Sequence, residues 1–133
     1  MNHTLDACAM LAYLQSESGY QVVKALLDSP TENCYAHVIN LIEVYYNFLR
    51  LADEQTAENA INDLIADGVV VCYDMDADFW KRVAKLKGRG RISIADCFCI
   101  ALAQRLGGAV VTTDHHEFDA LVPLNIVPIN FIR

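Results

Sequence analysis

The chain has 133 residues, 54% of them hydrophobic, with a formal net charge of −7. That length supports one domain spanning residues 1–133, burying roughly two-thirds of the surface its unfolded form exposes, and leaves no room for a second. The long uninterrupted apolar runs, Ala7 to Leu14 and Cys97 to Ala103, are far short of the roughly 20 residues that span a bilayer, which excludes a membrane helix. The first residues also lack the basic region of a signal peptide, so a soluble cytoplasmic protein is expected. Cys8, Cys34, Cys72, Cys97 and Cys99 are odd in number, lack CxxC spacing and sit mostly in apolar runs, the pattern of reduced thiols. A zinc site or a disulfide framework is not expected.

In chain order, a short strand ends near Asp6 and Ala7 to Leu14 reads as a first helix. Val22, Val23, Leu26 and Leu27 mark a second, closed by Ser29-Pro30, and Cys34 to Val38 reads as a strand. From Leu41, the residues Val44, Tyr45, Phe48 and Leu49 recur at helical spacing, and Ala57, Ala60, Ile61, Leu64 and Ile65 repeat it in the next helix, which Gly68 ends. Val69 to Tyr73 is a β-branched run of the kind found in buried strands, and Phe79, Trp80, Val83 and Ala84 form the apolar side of a following helix. Ser93 to Leu106 is another helix, stopped by Gly107-Gly108. Ala109 to Thr112 is a strand, and Ile126 to Ile129 a short last one at the sheet edge, where Pro128 is tolerated. Strands and helices in alternation predict an α/β domain with a parallel sheet covered on both faces.

Four acids, Asp6, Glu43, Asp96 and Asp114, fall where an apolar or strand-like run gives way to a helix. In a parallel sheet such positions converge on the carboxyl edge of the strands, where ligands bind. Helix capping accounts for each acid singly, because Asn40-x-x-Glu43, Ser93-x-x-Asp96 and Asp114-x-x-Glu117 have the form of capping boxes and Asp6 that of an N-cap. Capping does not account for their common edge, since helices starting near Glu17, Thr56 and Asp76 lie elsewhere. Positive helix N-termini help to keep clustered carboxylates ionised, yet unpaired negative charges in one pocket repel until a divalent cation enters. All-oxygen ligands suit magnesium or manganese.

Six of the ten basic residues lie between Lys81 and Arg91, with no acid among them. Phosphate contacts act locally, over about 10 Å at ordinary salt, so an acidic protein with its positive charge gathered beside a site can hold a nucleic-acid backbone. Lys81, Arg82 and Lys85 read as a solvated helix face. Lys87, Arg89 and Arg91, interleaved with Gly88 and Gly90, read as a flexible loop leading to the helix of Asp96 and are assigned to contact with a phosphate-bearing substrate.

Four segments then carry a family resemblance: Leu5-Asp6 with Leu11 to Leu14; Asn40 to Tyr46; Ile94-Ala95-Asp96 with Ala101 to Ala103; and Thr112-Thr113-Asp114 with Phe118-Asp119. In this order and spacing they resemble PIN-domain ribonucleases of the VapC toxin kind, over essentially the whole chain. The resemblance implies a three-layer α/β/α fold with a central, mainly parallel sheet, and magnesium- or manganese-dependent hydrolysis of RNA by an endoribonuclease. It implies Asp6, Glu43, Asp96 and Asp114 as the catalytic quartet, with Thr112 and Asp119 in support. Asp6 and Asp96 are taken as direct metal ligands, Asp114 as ligand of a second or looser ion, and Glu43 as an orienter of water. A homodimer and a cognate antitoxin are implied as well. Ala7 and Asn40 depart from the hydroxyl residues that relatives often carry there, which bears on the tuning of the site and its substrate choice.

Val69 to Asp76 resembles the strand and DxD start of haloacid-dehalogenase-type phosphatases, with Asp74 as nucleophile, but that motif normally opens its fold and here comes late. An EF-hand is excluded, since Phe79 stands where the loop needs glycine and Lys85 where it needs glutamate. A non-catalytic PIN-like module binding RNA or protein would keep the fold without the chemistry. His115 and His116 read as exposed, and His3 and His37 carry no signal.

Overall fold

Ala109–Thr112 is buried at all four positions, because it has a strand on either side and helices above and below. Its successive residues point to opposite faces, so Val110 enters one hydrophobic cluster and Val111 the other. In this computed structural model, which describes residues 1–133, five parallel strands form one sheet of order β3-β2-β1-β4-β5. They are β1 (Asn2–Leu5), β2 (Asn33–His37), β3 (Val69–Cys72), β4 (Ala109–Thr112) and β5 (Ile129–Phe131).

One face carries the helices α1 (Ala7–Leu14), α2 (Tyr20–Asp28), α3 (Val38–Leu51) and α4 (Glu54–Ala66), which close over Leu5, Met10, Val23, Val44 and Leu64. The other carries α5 (Ala77–Gly88), α6 (Ile94–Leu106) and the short α7 (His115–Phe118), over Phe79, Phe98, Ile100, Leu102 and Phe118. This is the expected three-layer α/β/α arrangement. Helix α6 is buried along Ala95 to Ala103 on nearly every side, which accounts for its uniformly apolar sequence where an amphipathic one would be usual. No helix is long and apolar enough to cross a membrane, and all five cysteines are free.

Element boundaries differ from the sequence expectation at several places: α2 starts at Tyr20 where a helix start near Glu17 is expected, β3 ends at Cys72 before Tyr73, and three further differences bear on the site or the sheet edge. Helix α3 begins at Val38, where a strand ending and a later start at Leu41 are expected, because the His37 side chain caps it: Nδ1 accepts from the Ile39 amide at 3.1 Å. Lys87 lies in the last turn of α5, so the basic loop contracts to the turn after Gly88. The last strand is Ile129–Phe131 in place of Ile126 to Ile129, preceded by a 3₁₀ turn over Asp119–Leu124 and by Asn125 at φ 53°. Pro128 has no amide to give but accepts from the Val110 amide through its carbonyl at 2.9 Å, and pairing then starts at Ile129.

The Gly107-Gly108 pair ends α6 and starts β4 by two different means. Gly107 is the left-handed C-cap at φ 64°, with open space around a would-be Cβ. At Gly108 a Cβ would stand 2.1 Å from the backbone oxygen of Asn2, on the neighbouring strand, which cannot yield without moving the sheet. Gly107→Ala should therefore cost about 1 kcal/mol, the usual left-handed penalty, and Gly108→Ala should cost more, ~2 kcal/mol or above. Urea midpoints of the two variants measured side by side test that order.

Candidate active site

Strands β1 and β4 are neighbours, so the turns leaving them open onto the same carboxyl edge. Asp6 follows β1, caps α1 by accepting from the Ala9 amide at 2.8 Å, and is only 1% exposed. Thr112, the buried last residue of β4, donates its hydroxyl to the other Asp6 oxygen. The same hydroxyl accepts from the Asp114 amide at 2.9 Å. One side chain thereby fixes two acids relative to each other. Asp114 in turn caps α7 by accepting from the Glu117 amide at 3.1 Å.

The other two acids arrive on facing helices. Asp96 sits in the first turn of α6, its amide donating to the capping Ser93 hydroxyl at 3.1 Å. Glu43 lies in α3, and buried Asn40 joins the two helices: its Nδ2 donates to the Ala95 carbonyl at 3.1 Å and to Glu43 at 3.4 Å. Asn40 can do this because it is not the cap of α3. That role belongs to His37, whose Nε2 donates to the Asp74 carbonyl at 2.8 Å and whose ring stacks on Phe79 at 5.4 Å. Burial lowers the His37 pKa, in keeping with a neutral ring whose Nδ1 is free to accept. Capping and site formation are thus compatible: Asp6 and Asp114 cap helices with one oxygen each and belong to the acid cluster.

The electrostatics are those of crowded carboxylates. Burial pushes Asp6 up to about 7 against its bonds to Thr112 and Ala9, and the charges of Asp96 and Asp114 add to the rise. Burial likewise lifts Asp96 to about 7 against its bond to Ser93, with Glu117, Glu43 and Asp114 adding. Glu43 is raised by burial, partly offset by Asn40. None of Asp6, Glu43, Asp96, Asp114 and Glu117 is held in an ion pair with a basic side chain. Two further oxygens, Asn40 Oδ1 and Glu117 Oε2, are buried without a donor. An all-oxygen set with this excess of negative charge suits a hard divalent cation. No three of these side chains are arranged around one ion position.

The residues named from the sequence divide accordingly. Asp6, Glu43, Asp96, Asp114 and Thr112 are drawn to one edge. Asp119 is not: it is exposed and accepts from His115 Nδ1 at 2.8 Å, while His115 Nε2 donates to the Arg133 carbonyl at 2.7 Å and the ring stacks on Phe131 at 4.1 Å. That group pins the C-terminal strand to α7. Lys87 is exposed but engaged, donating to the Ile92 carbonyl at 2.7 Å, whereas Arg89 and Arg91, also exposed, make no such bond beside the site. Asp74 and Asp76 are both clamped by Arg105, at 3.0 and 2.6 Å, and Asp76 caps α5, which takes Asp74 out of the nucleophile role considered for it. Glu117 is the acid that the sequence pattern leaves out, since its spacing from Asp114 is that of a capping partner. The available signal was an acid one turn further along, on the same short helix.

The PIN domain family model matches residues 4–122. The chain therefore belongs to the PIN-domain family. No curated protein sequence matches it. Among solved structures it is similar to a chain of VapBC2 from Rickettsia felis bound to a promoter DNA fragment, at 14% identity and TM-score 0.75, covering 98% of each chain. It is similar to a chain of VapBC-1 from nontypeable Haemophilus influenzae at 20% identity and TM-score 0.72, covering 99% of this chain and 98% of that one. It also resembles VapC20 of Mycobacterium tuberculosis, described as a sarcin-ricin loop cleaving toxin, at 16% identity and TM-score 0.69, covering 90% and 95%. At such identities these likenesses establish the fold.

Two buried acids near neutrality set the direction of a pH effect. Their pKa values rise from 3.8 in the unfolded chain to about 7 in the folded one, so within that window the folded state binds more protons and stability falls as pH increases. The metal-free protein should melt at a lower temperature at neutral pH than at mildly acidic pH. Asp96→Asn should reduce that pH dependence and raise the neutral-pH melting temperature. Thermal melts with chelator present, across this range, check both.

Proposed function

We propose that this protein is a divalent-metal-dependent endoribonuclease, the toxin of a toxin–antitoxin pair, using magnesium or manganese and acting on RNA. The observation that carries the reading is the set of buried and half-buried carboxylates gathered at the carboxyl edge of β1 and β4, none of them in an ion pair with a basic side chain. The similarity to chains of toxin–antitoxin complexes supports the biological role, and the description of the Mycobacterium tuberculosis relative supports RNA as substrate.

Asp6, Asp96 and Asp114 would hold the cation, which when bound supplies charge neutralisation at the scissile phosphate and activates water. The protein's part is preorganisation. Thr112 and the Ala9 amide lock Asp6 in one rotamer, and the Thr112 hydroxyl sets the Asp114 backbone. Asn40 holds Glu43 toward the cluster, where a carboxylate with a raised pKa can orient a water and take its proton. Arg89 and Arg91 stand ready for the RNA backbone; Lys87, engaged with Ile92, is the weakest of the three expected contacts. No covalent enzyme intermediate is required.

A protein partner is in keeping with the surface. An open groove of 230 Å³ between α3, α4 and β3 is lined only by hydrophobic side chains, including Ile42, Ile65 and Tyr73, apolar surface of the kind partners cover. An antitoxin and a homodimer are the proposed assemblies.

Purified protein should cut a mixed RNA pool with magnesium or manganese and not with chelator. Asp96→Asn should lower cleavage by at least about a hundredfold, more than losing an outer-shell partner typically costs, with its circular dichroism unchanged. Full activity in that variant would remove the reading. Expression of the chain alone should slow bacterial growth, and the variant should not. Binding of RNA without any cleavage would favour a non-catalytic module.

A further inference from the structure

The acid cluster continues directly into a cleft that the quartet does not use. The turn between α5 and α6 faces α7 and the 3₁₀ turn across a space of 390 Å³, lined by Arg89, Gly90, Arg91, Ile92, His116, Glu117, Ala120, Leu121 and Leu124. Its volume lies in the range of small-ligand sites, about 300–1,000 Å³. Its lining is divided by chemistry. Arg89, Arg91 and His116 are exposed cations or potential cations with no hydrogen-bond or ion-pair partner in the protein, unlike Arg105, Arg133 and His115. Ile92 and Leu121 are buried, and Leu124 is 55% exposed over the opening. Glu117 belongs to both places: it lines the cleft, it contributes to the charge on Asp96, and its Oε2 is buried without a donor.

Unpaired arginines beside a cluster of unpaired carboxylates need a reason to stay apart from them. A polyanion threaded past the acids supplies one, since its phosphates require cations one step away from the metal-binding edge. The apolar floor requires more than a phosphate. A nucleotide satisfies both halves, with its phosphate on the guanidinium groups and its base laid against aliphatic side chains. Building on the ribonuclease reading, we propose that this cleft is a nucleotide subsite for single-stranded RNA. It takes the nucleotide next to the scissile phosphate, with Arg89, Arg91 and His116 holding the backbone and Ile92, Leu121 and Leu124 receiving the base. Glu117, as an acceptor at the inner wall, faces the hydrogen-bond donors of that nucleotide and contributes to the choice of cleavage position.

The test is binding of a short, labelled, mixed-sequence single-stranded RNA to the full chain with chelator present, so that no strand is cut, as a function of salt. Arg89→Ala with Arg91→Ala should weaken binding and flatten the slope of log affinity against log salt by about 1.4, at about 0.7 per lost phosphate contact on single strands. Leu124→Glu, at an exposed position, should weaken binding by about tenfold, with its melting temperature confirming a folded protein. Arg91→Lys alone, which keeps the charge, should leave the wild-type salt slope unchanged. Wild-type affinity and slope in both the double variant and Leu124→Glu would overturn the subsite, leaving the cleft to a peptide. Cleavage by the wild type is scored separately. RNA held in the cleft but never cut would sink the ribonuclease reading and leave the subsite standing, whereas cleavage with unaltered binding would do the reverse.

Discussion

The hydroxyl of Thr112 ties the structure's chemistry to its topology. It donates to Asp6 at the end of β1 and accepts from the Asp114 backbone beyond β4, so the first and fourth strands must be neighbours in parallel for the acid cluster to exist. Pairing of β1 with β4 brings residues over a hundred positions apart to within one side chain of each other. Everything around that junction serves to keep it dry and rigid. The strands meeting there are buried on both faces, and α6 lies across them with almost no exposed residue in its middle.

Keeping carboxylates in such a place is unfavourable in itself. Desolvation dominates the upward shifts at Asp6 and Asp96, and the bonds from Thr112 and the Ala9 amide at Asp6 and from Ser93 at Asp96 offset only part of it. The fold tolerates this because the rest of the core is conventional: two apolar clusters, one on each face of the sheet, hold the layers together independently of the acids. A buried excess of negative charge at a strand edge is what the proposed cation would neutralise, and the orphaned Asn40 and Glu117 oxygens lie beside it.

Local devices around the site divide the labour. His37 caps α3, which frees Asn40 to bridge α3 and α6. Arg105 neutralises Asp74 and Asp76, so those acids stay outside the cluster. His115 joins Asp119 to the C-terminal backbone and holds β5 against β4 from the solvent side. The two departures noted in the sequence also have different weights: Asn40 has taken on a structural bridge, while Ala7 simply packs as a buried residue at the start of α1.

The alternation of apolar runs, the glycine stops and the β-branched strands were sufficient to predict a parallel α/β sheet with helices on both faces, because periodicity and chain breaks are local properties. The positions of Asp6, Glu43, Asp96 and Asp114 were legible for the same reason, as acids at strand-to-helix transitions. What only the tertiary structure decided are matters of side-chain direction and partner. Lys87 donates to the Ile92 carbonyl because the helix runs on through Gly88, taking in the start of the expected loop. Asp119 went to His115 because α7 faces the C-terminus, and the last strand moved to Ile129–Phe131 because pairing with β4, not local propensity, sets where an edge strand begins. Glu117 joined the cluster, and the cleft beside it formed, through the packing of α7 against the turn before α6. That contact links segments distant in the chain, and no local pattern encodes it.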